Sequence, residues 1–372
     1  MHLRPRLVLS VAAAILLSTV LPPPADSADE TTAKKYEQMI DKAVAFLGTK
    51  AQTSDGSFNA AAGPAVTALV GTAVLRHGRS PDDPLVAKAL RYMESFVRED
   101  GGIYAEGTFY KNYETCIAIM LFTEANRNGK YDMLLKKAND FIKSNQWGSA
   151  GEKGPQDVEF GGAGYGKSKR PDMSNTSFFV DALKAGGNDE NSEAMRRALL
   201  FVSRCQNLES PQNTTPFAAK INDGGFYYTP AAGGSSQAGI DEGTGGLRSY
   251  ASMTYAGLKS MIYAGVKEDD PRVQAALGWL KKHYDLDSNP GMGTSGLYYY
   301  YQTFAKALSA LGQDKFVDDK GVAHDWRKEL IDSLASRQRA DGSWVNENSK
   351  WLEGDASLVT GYALLALSYC KK

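Results

Sequence analysis

The chain has few of the residues that build metal centres or disulfide frameworks. Its 372 residues include three cysteines and four histidines, and the histidines are scattered at positions 2, 77, 283 and 324. A zinc site needs three or four converging ligands, and three thiols do not make a disulfide framework. We therefore expect no metal and no cofactor. Cys116, Cys205 and Cys370 are predicted to act as small buried apolar groups, with one disulfide and one leftover thiol as the alternative.

The chain also lacks an excess of charge and a long internal apolar run. Lys and Arg number 42 and Asp and Glu 43, which leaves a formal net charge of −1. Such balance gives no long-range attraction to nucleic acid or to an anionic membrane. We expect no nucleic-acid partner, and beyond the N-terminus no stretch is long enough to span a bilayer.

The N-terminal segment 1–27 has the pattern of a secretory signal. Arg4 and Arg6 precede an apolar run over 7–20, and three prolines and the small-residue sequence Ala25-Asp26-Ser27 follow it. This order of charge, apolar run and cleavage site is typical of a signal peptide, and an uncleaved anchor is the alternative. We expect export to the periplasm or outside the cell, with 28–372 as one domain and no stable membrane span after cleavage.

What the chain does have is one unit repeated six times. Each unit is a helix, a turn mostly rich in glycine and aromatic residues, and a second apolar helix, and the turns lie near 55–58, 100–104, 160–165, 223–226, 289–291 and 341–344. The first helix of a unit is amphipathic, as Met39, Ala43, Phe46 and Leu47 show, whereas the second has almost no polar face. Since such a unit cannot bury its own apolar face, neighbouring units must stack.

The two helix classes predict an all-α fold, an (α/α)6 toroid with six inner helices surrounded by six outer ones. Outer helices are predicted near 34–50, 84–98, 131–146, 190–206, 271–284 and 325–338, and inner ones near 65–77, 112–126, 175–186, 249–264, 296–311 and 356–370. An open solenoid is the alternative, although it usually has polar capping repeats. The long Gly-rich insertion at about 207–247 is interpreted as a flap over one end of the ring or as a disordered excursion.

These repeats resemble those of squalene and oxidosqualene cyclases and of protein prenyltransferase β-subunits. The best single element is Gln338-Arg339-Ala340-Asp341-Gly342-Ser343-Trp344, which is similar to the Gln-x-x-Asp-Gly-Ser-Trp repeat of the cyclases. The resemblance covers about 34–370. It implies a central cavity with the functional site at the N-termini of the inner helices.

Both catalytic signatures of that superfamily are missing from the sequence. The cyclases use an Asp-x-Asp-Asp cluster, and the nearest segment here, Asp285-Leu286-Asp287-Ser288, lacks its second half. The prenyltransferases hold zinc through an Asp-x-Cys pair and the His of Tyr-His-Thr-Cys. In this chain Tyr113-Glu114-Thr115-Cys116 carries Glu114 in the His position, and no Asp-x-Cys exists.

Polar and aromatic residues at the predicted starts of the inner helices would converge on one end of a ring. The candidate ligand-binding residues are Tyr113, Glu114, Asn175, Arg248, Tyr250, Tyr300, Gln302 and Asp355. Glu114 and Asp355 are also candidate acid/base groups. Helix capping and packing are the alternative explanation of these positions.

A phosphate-binding pattern in the third turn is interpreted as coincidence. Gly161–Ser168 satisfies the P-loop spacing, but that motif works between a strand and a helix. No strand pattern precedes the segment, and Pro171 blocks a helix soon after it. We expect no nucleotide.

Three hypotheses for the function follow from these observations. The leading one is an exported toroid protein that binds an extended apolar or isoprenoid-like ligand in a central cavity. A polysaccharide-cleaving enzyme, a lyase or hydrolase that takes a carbohydrate ligand and uses Glu114 and Asp355, is the second. The third is an interaction scaffold in the cell envelope, which an exposed apolar patch on one rim would favour.

Overall fold

The computed structural model describes residues 25–166 and 170–371. The predicted signal segment, 1–27, lies outside this range except for its last three residues, which begin the first helix. Within the described ranges, no helix is both long enough and apolar enough to cross a bilayer. The predicted domain boundary after residue 27 stays a prediction.

Helices account for almost all of the regular structure in the described residues. In chain order they are α1 (Ala25–Phe46), α2 (Ala65–Arg76), α3 (Pro84–Glu94), α4 (Lys111–Ala125), α5 (Asp132–Ser144), α6 (Met173–Ala185), α7 (Glu193–Arg204), α8 (Ala218–Ile221), α9 (Ala251–Tyr263), α10 (Pro271–Lys282), α11 (Leu297–Leu311), α12 (Trp326–Arg337) and α13 (Ala356–Ser368). A two-stranded antiparallel hairpin, β1 (Phe316–Val317) and β2 (Ala323–His324), joins α11 to α12. The predicted all-α class is confirmed.

The six inner helices form a closed ring. Helices α2, α4, α6, α9, α11 and α13 each pack against the next, and α13 packs against α2. The outer helices α1, α3, α5, α7, α10 and α12 pack on the outside of this ring. An open solenoid is therefore excluded, because in a solenoid the last inner helix would not meet the first.

Burial separates the two helix classes as their sequences predict. In α2 every residue from Ala65 to Leu75 is buried. In α3 the buried residues are Leu85, Val86, Ala89, Leu90 and Met93, which follow one face of the helix. The inner class is enclosed by neighbours on all sides, and the outer class exposes its polar face.

The last turn of the chain is locked onto the first helix. Gln338 Nε2 donates to the carbonyl of Gly342 in its own turn at 3.0 Å and to the carbonyl of Met39 in α1 at 3.0 Å. Gly342 has φ +91°, and a Cβ at this position would lie 2.3 Å from the carbonyl oxygen of Lys42. Glycine is required here both for its backbone conformation and for this close approach.

Three other glutamines make the same paired bonds between a turn and the next outer helix. Each side-chain amide bonds a glycine carbonyl of its own turn and one carbonyl at the N-terminal end of the following outer helix. These are Gln52 with Leu85, Gln146 with Ala194 and Gln206 with Arg272. The turn therefore fixes the spacing between successive hairpins as well as the hairpin itself.

The three cysteines are free and buried. This agrees with their predicted role as small apolar groups.

Candidate functional site

A cavity of about 820 Å3 lies at the end of the ring where the inner helices begin. All six inner helices contribute side chains from their first turns, for example Val66 of α2, Asn175 of α6, Met253 of α9 and Leu358 of α13. The volume is within the roughly 300–1,000 Å3 that small-molecule sites occupy. We call its open end the mouth, where the lining residues Tyr110, Trp351 and Leu352 are exposed.

Aromatic side chains dominate the cavity wall. Nine of them line it: Tyr110, Tyr113, Tyr165, Phe178, Tyr228, Tyr250, Tyr299, Trp351 and Tyr362. Four of these rings, from α4, α6, α11 and α13, contact one another in series, with centroid distances of 5.5 Å (Tyr113–Phe178), 6.1 Å (Phe178–Tyr299) and 6.0 Å (Tyr299–Tyr362). We call this group the aromatic belt.

Glu114 places a carboxyl group in the cavity wall from the first turn of α4. Its Oε2 accepts a hydrogen bond from the Ala105 amide at 2.9 Å, and its Oε1 accepts one from the Thr108 hydroxyl at 3.2 Å. Gly63, with φ +85°, faces this group so closely that a Cβ would lie 2.9 Å from Oε1. Burial raises the pKa of Glu114, although the two hydrogen bonds oppose that effect.

Glu353 places a second carboxyl group in the wall, just before α13. It is 1% exposed, and it accepts hydrogen bonds from the Tyr299 amide at 2.8 Å and from Asn346 Nδ2 at 2.6 Å. The Tyr298 amide donates to it as well, at 3.3 Å, so Glu353 caps the N-terminus of α11. Burial raises the pKa of this group too.

A third carboxyl group, Asp172, lies directly behind the wall. As the N-cap of α6 it accepts hydrogen bonds from the backbone amide and the side-chain Nδ2 of Asn175, both at 2.8 Å. The Tyr228 hydroxyl is also hydrogen-bonded to it. Burial raises the pKa of Asp172 to about 6, despite the opposing hydrogen bonds.

The wall contains no side chain with a positive charge, since no Lys, Arg or His lines the cavity among the described residues. Two described cations contact the rings of wall residues. The Arg170 guanidinium is 5.5 Å from the centroid of the Tyr228 ring, and the Lys350 ammonium is 4.4 Å from the Trp351 ring. Arg170 also lowers the pKa of Asp172 slightly through its charge.

Below the cavity the bore of the ring is filled. One turn beyond the lining residue Phe178, Asp181 of α6 pairs with Lys259 of α9 at 2.7 Å and with Lys306 of α11 at 2.5 Å. All three groups are buried. The cavity therefore opens at the mouth and is closed by this ion cluster and by the apolar residues around it.

Four of the eight residues proposed from sequence line the cavity. These are Tyr113, Glu114, Asn175 and Tyr250. The Oδ1 atom of Asn175 is buried and has no hydrogen-bond partner among the described residues. These four residues lie in the first turns of α4 and α6 and at the N-cap of α9.

The other four lie outside the cavity wall for identifiable reasons. Arg248 is exposed, 3.8 Å from Asp241 in the insertion. Tyr300 is turned toward the outer layer, where its hydroxyl donates to the Asp285 carbonyl at 2.5 Å, and Gln302 is buried on α11 without lining the cavity. Asp355 caps α13 by accepting from the Leu358 amide at 2.7 Å.

Several wall residues escaped the sequence analysis. Glu353 is two positions before the chosen Asp355, and Tyr299 is one position before the chosen Tyr300, so the right segments were identified but not the right helix face. Tyr228 and Gln237 come from the 207–247 insertion, so two residues of this segment line the cavity. Asp172, directly behind the wall, could have been found from the sequence. Aspartate is a common N-cap, and this one comes just before the polar start of α6, three positions before the chosen Asn175.

The P-loop-like segment forms a turn of the ring. The residues preceding Gly161 are turns rather than a strand, and Gly161 has φ +83° against the Arg197 carbonyl of α7. Lys167 and Ser168, the functional end of the pattern, lie outside the described residues.

Fold and site together define a closed α/α toroid with a blind, aromatic-walled cavity. No protein-family model and no curated protein matches the sequence. Among solved structures the chain is similar to the type II terpene cyclase MstE from Scytonema. A variant of that cyclase bound to its substrate, geranylgeranyl dihydroxybenzoate, is 12% identical over 92% of this chain and 99% of that chain, with a TM-score of 0.34. The unliganded cyclase is 14% identical over 90% and 97%, with a TM-score of 0.35.

Proposed function

We propose that the protein binds an elongated apolar, isoprenoid-like molecule in the central cavity. The observation that best supports this proposal is the composition of the cavity wall. It contains nine aromatic side chains and aliphatic ones such as Val66, Leu69 and Leu358. Burying apolar ligand surface against such a wall contributes about 25 cal/mol per Å2 before the costs of binding. The few polar groups, among them Asn175 and Ser174, orient the ligand.

We do not propose that the protein catalyses the cyclase reaction or the prenyltransferase reaction. The chain has neither the Asp-x-Asp-Asp cluster nor the Asp-x-Cys ligand pair in its sequence. We also propose, from residues 1–27, that the protein works in the periplasm or outside the cell.

The two alternatives differ in their support. Polysaccharide cleavage by Glu114 and Asp355 would need both groups in one site, but Asp355 caps α13 outside the wall that contains Glu114. The scaffold hypothesis is favoured by the exposed apolar side chains at the mouth, Tyr110, Trp351 and Leu352. Because these residues also line the cavity, we assign them to its entrance.

Ligand binding can be measured through Trp351, which is 46% exposed at the mouth. We expect farnesol and squalene to shift the tryptophan emission and raise Tm, and oligosaccharides to do neither. Ala65→Phe should abolish binding, because Ala65 is a buried lining residue of α2 whose enlargement fills the cavity.

The matched control is Ala45→Phe, which adds the same ring at an exposed position of α1. It should bind like the parent protein. Stabilisation by oligosaccharides alone would favour the enzyme hypothesis. If no ligand gives a response, the scaffold hypothesis is the one that remains.

A further inference from the structure

The cavity is bordered by buried acid groups that form no ion pair among the described residues. Glu114 and Glu353 are in the wall and Asp172 is directly behind it, and none of the three forms an ion pair within the described part of the chain. Their hydrogen-bond donors are neutral amides and hydroxyls. A buried carboxylate is costly unless a positive charge or several strong donors compensate it.

The same ring shows what the fold does when an acid is fully enclosed. Asp181, one turn beyond Phe178 on α6, receives two buried lysines, Lys259 and Lys306. The acids at the cavity receive none. The acids at the cavity differ from Asp181 in that they border open space, which a ligand can fill.

The aromatic belt provides a second feature that suits a positive charge. The face of an aromatic ring attracts an ammonium or guanidinium group within about 6 Å of its centroid, and the attraction grows when the cation is removed from water. Tyr113, Phe178, Tyr299 and Tyr362 are packed side by side at the cavity. The described cations Arg170 and Lys350 contact other rings, those of Tyr228 and Trp351.

The arrangement fits an organic cation and not a metal ion. In the described chain no three His, Cys, Asp or Glu side chains converge in a way that would hold a metal. Glu114 and Glu353 come from different segments of the ring and are held by separate hydrogen bonds. A nitrogen with several N–H or N-methyl groups can contact a carboxylate and a ring at once.

We propose that the cavity selects a ligand in which a positively charged nitrogen is attached to the apolar body, an inference that rests on the apolar-ligand function proposed above. Diphosphates and carboxylates are disfavoured, because the described part of the wall offers them two like charges and no cation. An uncharged alcohol of the same length binds through its apolar part alone.

A matched ligand series tests this on the unmodified protein. Farnesylamine, farnesol and farnesyl monophosphate share one chain and differ in head-group charge at neutral pH. We expect the amine to bind about tenfold more tightly than the alcohol, and the phosphate more weakly than either. Equal affinity for amine and alcohol, or tightest binding of the phosphate, would overturn the inference. If none of the three binds, the proposed function itself fails.

Two variants connect the preference to the acids. Glu114→Gln and Glu353→Gln should each reduce the amine-to-alcohol ratio to about threefold or less. Glu106→Gln, an exposed position near Thr108 outside the wall, should keep the full ratio. A ratio that survives both cavity variants would contradict the assignment, and if the variants do not fold, the ligand series decides.

Discussion

At the scale of single residues, helix capping and cavity chemistry are combined in the same side chains. Asp172 caps α6 and Glu353 caps α11, yet both border the cavity. Capping explains why an acid is at each position, since a carboxylate accepts the free amides of a first turn. It does not explain why each acid is buried beside open space, where its charged form is disfavoured.

The buried Asp172 should make stability depend on pH in an identifiable way. Because burial raises its pKa to about 6 in the folded protein, from an ordinary value of 3.8, the folded state holds a proton that the unfolded state has lost between these values. Stability therefore falls as pH rises through this window, by about 2 to 3 kcal/mol for this group.

The Asp172→Asn variant isolates this contribution, since asparagine also caps helices but does not titrate here. Urea unfolding of both proteins at pH 4, 5, 6 and 7 gives the difference in unfolding free energy. The parent should lose stability relative to the variant as pH rises from 4 to 6. A difference that stays constant over this range would show that Asp172 is not protonated in the fold.

At the scale of helices and turns, a buried threonine recurs in the second helix of five units. Its hydroxyl accepts a hydrogen bond from a backbone amide of the preceding turn, at 2.9–3.2 Å. The pairs are Thr67 with Phe58, Thr115 with Ile103, Thr176 with Ala163, Thr254 with Phe226 and Thr360 with Trp344. Together with the turn glutamines, these bonds set the path of the chain from the outer to the inner layer.

Turn glycines that touch the next outer helix should be far less tolerant of alanine than other glycines of similar φ. Gly342 has φ +91° and faces the Lys42 carbonyl, whereas Gly78 has φ +84° and open space around it. Gly78→Ala should cost about 1–2 kcal/mol from backbone conformation alone. Gly342→Ala adds the clash and should cost about 3 kcal/mol or more.

Urea unfolding of the two variants checks this comparison. Similar losses for both would mean that the turn does not press against α1. In that case the ring is closed by helix packing without the turn.

The helix boundaries were largely readable from the sequence, and the faces that they present were not. Pro84 and Pro271 begin α3 and α10 as predicted, since proline is favoured in a first turn. By contrast, the run Tyr298–Tyr301 is buried throughout or nearly so, and only Tyr299 lines the cavity. With apolar residues on every side of an inner helix, periodicity carries no information about which side faces the axis.

At the scale of the whole molecule, the two ends of the chain meet in closing the ring. Helix α1 packs against both α12 and α13, and the Tyr36 hydroxyl donates to the Leu367 carbonyl at 3.3 Å. Every outer helix runs toward the mouth and every inner helix away from it. The start of α1 and the end of α13 are consequently at the same far end of the ring.

This geometry predicts that the chain tolerates circular permutation at that end. A permutant that joins Lys371 to Ala33 through a short Gly-Ser linker, with new termini at the exposed loop 186–188, should fold with the same helix content and the same farnesol affinity. Circular dichroism and the tryptophan titration measure both.

The contrasting permutant has its new termini between Gly342 and Ser343, inside the last locked turn. It should be markedly less stable, because the Gln338 bonds to α1 then have no continuous turn to hold. Equal stability of the two permutants would show that the position of the break in the ring is unimportant.

The ion cluster of Asp181, Lys259 and Lys306 closes the inner end of the cavity, so within the described residues the cavity has a single opening. A ligand of the proposed kind would enter and leave through the mouth. Only one end of a long molecule would then reach the interior, and the rest would stay outside. A polymer could not pass through the ring from one side to the other. Any selectivity would therefore concern the end of the ligand molecule.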